Sequence, residues 1–301
     1  MALVAEVAEG VYIIDTGGLG YRNTVAAYIA RGRRSSAVLD TGYASSTSRI
    51  VSALSRIGVG ERELRYIIPT HAHLDHCGAS GELLARYESS EVYAHERAVP
   101  HLVDPSRLVA SVRSIYSENI YEQMGGARPT DEGRTHVLGD GDELDLGGVT
   151  IRAIYTPGHA PHHLSLEIVE RRYVVTGDAV PSRYPFTNYY IPNSVPPRYD
   201  HEQAVASIEK LFGLRPRLLL TPHYGPIYPS EALRERYIEA IRSSVDQAKR
   251  LAGRGAGFEE LEAEIRRSLA GGVDPRLLHP TIRMALRLVA LSLHQTYKSP
   301  T

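Results

Sequence analysis

Cysteine and lysine are the scarcest informative residues here: Cys77 stands alone, and only three lysines accompany 31 arginines. One cysteine excludes an intramolecular disulfide framework and a structural zinc site built from several thiolates, and it fits a reducing compartment. Asn and Gln total eight and Met three. Scarcity of such thermolabile side chains is a thermophile tendency, although scarce lysine runs against it. Lys+Arg at 34 and Asp+Glu at 35 leave a formal net charge of −1, so the overall charge gives no pull toward nucleic acid or an anionic membrane surface. No stretch approaches the ~18 uninterrupted apolar residues of a membrane span. The opening MALVAEVAEGVYIID lacks the basic start and apolar core of a signal peptide, and a cytoplasmic location is the expectation. No G-x-x-x-x-G-K-[ST] loop and no Rossmann glycine fingerprint occurs, which removes the two commonest phosphate cradles.

Against those absences, 43% hydrophobic and 23% charged residues over 301 positions are enough for a substantial folded core. Apolar or β-branched runs at 4–14, 25–30, 37–39, 66–68 and 91–94 read as strands broken by turns such as Thr16-Gly17-Gly18. Helical spacing of Ile50, Val51, Leu54 and Ile57 predicts a helix over 45–57, with Ser45 or Ser46 as its cap. A short helix is expected over 81–87 and one long helix over 106–124, where Leu108, Val109, Val112, Ile115, Tyr116, Ile120 and Met124 share a face. Strands return at 135–138, 143–146, 149–155, 164–169, 172–176 and 217–220, with a helix over 201–212 before the last. From Ser230 onward three helices are expected, over 232–251, 258–269 and 281–297, with no strand signal. The division is therefore residues 1–229 as an α/β domain and 230–301 as a helical extension.

The densest chemistry is Thr70-His71-Ala72-His73-Leu74-Asp75-His76-Cys77-Gly78, three histidines and an aspartate within six positions. Imidazole and carboxylate suit zinc, iron and manganese. If the backbone stays extended after the strand, His71, His73 and Asp75 point the same way and His76 comes from the turn. More polar groups recur at strand ends, where α/β folds collect their sites: Pro157-Gly158-His159, Gly177-Asp178 and Pro222-His223-Tyr224-Gly225. Cys77 at a helix start reads as a small packed residue. His95, His101, His136, His201 and His279 are lone histidines with surface or structural roles, whereas His162 or His163 is placed to support His159. Tyr184, Tyr189, Tyr190, Tyr199 and Tyr224 could donate to an oxyanion or anchor loops by packing.

In motif type and order, HAHLDH, PGH, GD and PHYG resemble the metallo-β-lactamase-fold metallohydrolase superfamily over roughly residues 3–228, and specifically its glyoxalase II-like branch, whose members split thioesters and carry a helical carboxy-terminal domain. The resemblance implies an α/β fold of αβ/βα four-layer sandwich type. It also implies two divalent transition-metal ions, zinc first with iron or manganese as alternatives. His71, His73 and His159 would hold one ion, Asp75, His76 and His223 the other, and Asp178 would bridge them. Two cations ~4 Å apart lower the pKa of a shared water toward ~7 and polarise the bond to be cleaved, and Asp75 is the catalytic carboxylate that handles the proton. Phosphodiester cleavage, mono-iron persulfide oxidation and a regulatory binding role are the alternatives. A small-molecule thioester is the expected partner, without nucleic acid or membrane and with homodimerisation open. The helices after residue 230 would form a lid over the site or a dimer interface.

Overall fold

The structure, a computed structural model, describes residues 3–271 and 273–297. The chain divides into two compact units: residues 1–155, 162–177 and 216–228, and residues 156–161, 178–215 and 229–301.

The first unit holds two sheets. One has seven strands in chain order: β1 (Val4–Ala8), β2 (Val11–Asp15), β3 (Ala26–Arg31), β4 (Ser36–Leu39), β5 (Leu64–Ile68), β6 (Glu91–Ala94) and β7 (Thr135–Val137). The β1 to β4 pairings are antiparallel and those from β4 to β7 parallel. Parallel neighbours need crossovers, supplied by α1 (Thr47–Arg56), then α2 (Leu74–Cys77) with α3 (Ser80–Arg86), then α4 (Val99–Val103), α5 (Ser106–Ile115) and α6 (Glu118–Met124). The second sheet contains β8 (Glu143–Asp145), β9 (Thr150–Tyr155), β10 (Leu164–Ile168), β11 (Tyr173–Val175), β12 (Leu218–Thr221) and β13 (Gly225–Ile227), ordered β13-β12-β11-β10-β9-β8.

Period-2 alternation explains how the first sheet is buried on both faces. Ile13, Ala26, Tyr28, Ala30, Ala37, Leu39 and Ile68 enter a core shared with Ile151, Ala153, Leu164, Leu166, Ile168, Leu218 and Leu220 of the second sheet. Their neighbours Ile14, Ala27, Ile29, Val38 and Ile67 point the other way, onto Ile50, Ala53 and Leu54 of α1 and Leu83 and Leu84 of α3. The Tyr28 hydroxyl, buried in the inter-sheet core, donates to the Thr221 carbonyl at 2.7 Å and pins β3 to β12.

Three local expectations are corrected. The run 4–14 is a hairpin, because Gly10 at φ 70° turns the chain between β1 and β2. The single helix over 106–124 is two: Tyr116 and Ser117 are extended (ψ 154° and 155°), and the Ser117 carbonyl accepts the first amides of α6. Residues 217–220 do not form the last strand, since β13 follows the tight turn at His223-Tyr224.

The second unit contains α7 (His201–Gly213), α8 (Glu231–Ala252), α9 (Phe258–Ala270) and α10 (Pro280–Tyr297). The apolar face expected of α10 is spent inside this unit: Ile282, Leu286, Val289 and Leu293 pack with Val245, Ala248 and Leu251 of α8 and Leu261, Ile265 and Leu269 of α9. Tyr184 and Ile191 of the preceding loop enter the same core, Tyr189 and Tyr199 pack against it, and Tyr190 meets Tyr237 edge-on at 5.2 Å. These loop tyrosines anchor by packing. No helix among the described residues is long and apolar enough to cross a membrane.

Candidate metal centre

The strand β5 stops at Ile68, and the residues that follow do not continue it. His71 to His73 run through bends, His73 is extended (φ −92°, ψ 147°), and Leu74 opens the one-turn helix α2. Asp75 and His76 therefore leave a helical turn, correcting the extended run drawn through Asp75. Two packing facts enforce the turn. The His73 carbonyl accepts from the amides of His76 and Cys77 at 2.9 Å each, and Gly78 seats so closely that a Cβ there would lie 2.4 Å from the Leu74 carbonyl and 2.8 Å from the Ala44 amide.

That turn brings Asp75 and His76 beside His223, with one donor atom of each within 4.8 Å of the others. Asp75 Oδ2 lies 3.6 Å from His76 Nε2 and 3.8 Å from His223 Nε2. Each imidazole is oriented from behind. His76 Nδ1 is 2.9 Å from Asp40 Oδ2, and the other Asp40 oxygen accepts the Thr70 amide at 2.7 Å. His223 Nδ1 donates to the Thr24 carbonyl at 3.0 Å, while the Pro222 carbonyl accepts the Ala26 amide at 2.7 Å. Committing Nδ1 to an oxygen fixes the tautomer and turns the Nε2 lone pair toward the cluster, the usual dressing of a metal-binding histidine. His71 and His73 form an adjacent pair, Nε2 to Nδ1 2.9 Å, with Thr70 Oγ1 at 3.1 Å from His71 Nδ1.

In the second unit His159 and Asp178 come together: His159 Nε2 is 3.4 Å from Asp178 Oδ2, and its Nδ1 donates to the Asn193 carbonyl at 2.5 Å. Asn193 is itself held, donating to the Val180 carbonyl at 2.8 Å and accepting from Ser182 Oγ at 2.6 Å. His159 follows the end of β9 and Asp178 the end of β11, as the strand-end reading requires.

Of the neighbouring histidines, His163 is the fully buried one, its ring 4.9 Å from that of His71. A Cβ on Gly177 would stand 2.5 Å from its Nε2, so the residue before Asp178 has to be glycine. His162 accepts the Ala72 amide at 3.4 Å, and its ring is 5.9 Å from that of His101. His95 stacks on Tyr155, His136 lies tilted against Tyr93 and His279 tilted against Phe186, while His201 meets the Tyr297 hydroxyl at 3.0 Å. Cys77 is buried in the helix-side core, and burial pushes its thiol well above the ordinary range, so it packs and does not react. Tyr224 belongs to the inter-sheet core, where burial, then the Asp15 carboxylate, raises its hydroxyl.

Three supports escaped the sequence reading: Asp40 and the Thr24 and Asn193 carbonyls. Asp40 had a signal, an aspartate closing β4 before Thr41-Gly42, and the structure holds it at φ 59°. A carbonyl carries none. Tyr116 reads as one more apolar residue on a helix, but the helix break places it where burial, then the Asp75 carboxylate, raises its hydroxyl.

The Metallo-beta-lactamase superfamily pattern matches residues 19–223. The chain is 26% identical over 266 residues to the metallo-beta-lactamase fold-containing protein ST1585 of Sulfurisphaera tokodaii, covering 87% of this chain and 96% of that one. It is 33% identical over 210 residues to the "Probable metallo-hydrolase YflN" of Bacillus subtilis, covering 63% and 75%, and 29% identical over 178 residues to an N-acyl homoserine lactonase of a Bacillus species, covering 54% and 56%. Among solved structures, ST1585 from Sulfolobus tokodaii superposes with a TM-score of 0.71 at 21% identity over 95% of this chain and 97% of that one. A metallo-beta-lactamase family protein of Thermus thermophilus, TTHA1429, gives 0.65 at 19% over 97% and 95%. These likenesses carry the fold: two mixed sheets with helices, followed by carboxy-terminal helices.

Proposed function

The chain belongs to the metallo-beta-lactamase superfamily, and from that premise we propose that it is a binuclear metal-dependent hydrolase acting on thioesters. The observation that carries the reading is the convergence of Asp75, His76 and His223 with both imidazole Nδ1 atoms already committed to oxygens behind them. The donor set of nitrogen and carboxylate oxygen fits zinc, iron or manganese. By the motif resemblance His71, His73 and His159 would hold one ion, Asp75, His76 and His223 the other, and Asp178 would serve both. When bound, such ions make water acidic enough to supply hydroxide near neutral pH and polarise an acyl carbonyl.

The protein's own groups do the rest. Asp40 and the Thr24 carbonyl keep the two imidazoles from rotating. The Asp75 carboxylate, 23% exposed, accepts a proton as water adds to the carbonyl and returns it to the departing thiolate. A relative named a probable metallo-hydrolase supports hydrolysis, and one named an N-acyl homoserine lactonase supports an acyl bond as its target; the thioester assignment comes from the motif resemblance. The test is elemental analysis followed by a substrate panel on metal-loaded protein: a lactoylglutathione, acyl-coenzyme A thioesters, a phosphodiester and a persulfide. Two ions per chain with metal-dependent thioester cleavage is the expected result. One iron with oxygen uptake on the persulfide, or cleavage of the phosphodiester alone, would replace it.

A further inference from the structure

An amphipathic helix ordinarily buries its apolar stripe. In α5 no residue is fully buried, although Leu108, Val109, Val112 and Ile115 all lie on it. These side chains, with Tyr116 and with Ile120 and Tyr121 of α6, remain half-buried. Their polar neighbours are occupied with one another: Arg113 pairs with Glu118 at 2.7 Å and lies over the Tyr121 ring at 4.4 Å. The stripe is thus left apolar and incompletely covered.

Its position is specific. Leu108, Val112, Tyr116 and Ile120 pack, together with Leu19, on the buried base Val25, Tyr43, Leu74 and Met124. Leu74 directly precedes Asp75. Val25 directly follows Thr24, whose carbonyl orients His223. The base of the apolar cluster is therefore one residue away from two parts of the metal centre. The helix pair is also firmly seated, since Gly125 ends α6 at φ +83° where a Cβ would lie 2.7 Å from the Ser45 amide. A half-covered apolar stripe whose base adjoins polar groups in the chain is how pockets for amphiphilic small molecules are built: apolar walls with a few fixed polar groups.

We propose that α5 and α6 form the acyl-binding wall of this site and that the substrate's acyl group is an apolar chain of several methylenes. The bond cleaved rests on the hydrolase reading above; the wall does not. Leu19, Val112 and Ile120 contact the chain, and Tyr116 marks the end nearest Asp75. Each methylene buried adds to binding, and pockets discriminate by about 10-fold or more per methylene that is or is not accommodated.

The experiment uses Val112→Trp, which fills the stripe, and Ile120→Ala, which removes part of it, in the full-length metal-loaded protein. The octanoyl-to-acetyl ratio of kcat/KM on coenzyme A thioesters should fall at least about tenfold in each variant. Calorimetric titration with octanoate, the acid that cleavage would release, should show at least about tenfold weaker binding than to wild type, with acetate bound more weakly still. Circular dichroism verifies folding, and Ile120→Ala, a truncation at a half-buried position, stands in should the bulkier change unfold the protein. An unchanged octanoyl-to-acetyl ratio together with equal octanoate binding would overturn the wall. Octanoate binding that depends on Val112 and Ile120 without cleavage of any thioester would support the wall and overturn the thioester reading instead.

Discussion

Helices α1 and α5 are each ten residues long and each carries an apolar stripe, yet α1 buries Ile50, Ala53 and Leu54 completely and α5 buries nothing completely. The stripe on α1 meets a sheet face, where Ala27, Ile29 and Val38 fill the space beneath it. Through Leu108 and Val112 the stripe on α5 meets a small cluster of four buried residues, and Leu108 alone of it also reaches the helix-side core. Amphipathicity says that a helix will dock; what it docks on decides whether the stripe is finished by protein or left for something else. The same split runs through the site itself, where the imidazoles of His71 and His76 are fully buried while the wall beside them is not.

The largest effect expected on that comparison is at a fully buried ligand. His76→Ala should lose metal and, with it, hydrolysis, by more than the ~10–100-fold that follows loss of a ligand's outer partner; wild-type metal content in this variant would remove His76 from the centre. Asp40→Asn comes next. It keeps the shape that receives the Thr70 amide but takes the charge away from His76 Nδ1, so metal affinity should drop ~10–100-fold with the fold intact, as measured by competition with a chromophoric chelator. A normal affinity would make Asp40 a purely structural group.

Smaller effects separate the two helices directly. Leu54→Ala in α1 should cost about 2–5 kcal/mol in chemical denaturation, the range for a buried leucine, whereas Val112→Ala in α5 should cost under about 1 kcal/mol because its site already opens to solvent. Equal losses would mean that α5 is as finished as α1. The smallest effect concerns the start of α5. Asp104 accepts the Ser106 amide at 3.0 Å, and that bond holds its carboxyl below the ordinary value. A depressed folded pKa gives a contribution present above the unfolded value of ~3.9 and lost as pH falls through the folded one. Asp104→Ala should therefore speed amide exchange in the first turn of α5 near neutral pH, and the difference from wild type should shrink on acidification. An exchange difference that persisted at low pH would assign the effect to backbone propensity.

Much of this was legible in advance. The apolar runs placed β3 and β4, and helical spacing placed α1, α8, α9 and α10, to within a residue or two at their ends. The motifs at the ends of β5 and β12 marked Asp75, His76 and His223, which the fold brings together. The misses have physical causes. A serine after a tyrosine breaks the 106–124 periodicity, yet the apolar face continues across the break, so spacing alone joins α5 to α6. The turn at Asp75 is imposed by the close seat of Gly78 on residues 43–44, a contact between segments far apart in sequence.

By itself the sequence determined the donor chemistry, because histidine and aspartate in that density at strand ends have few other uses, and it located most strands and the last three helices through their apolar runs and helical spacing. The tertiary structure alone decided which atoms of those donors face one another. That choice depends on Asp40 and the Thr24 carbonyl, which reach His76 and His223 across 36 and 199 positions of chain. It likewise decided that the stripe of α5 is only partly covered, since how much of an apolar face is covered depends on the surface it meets and is not encoded in its own period.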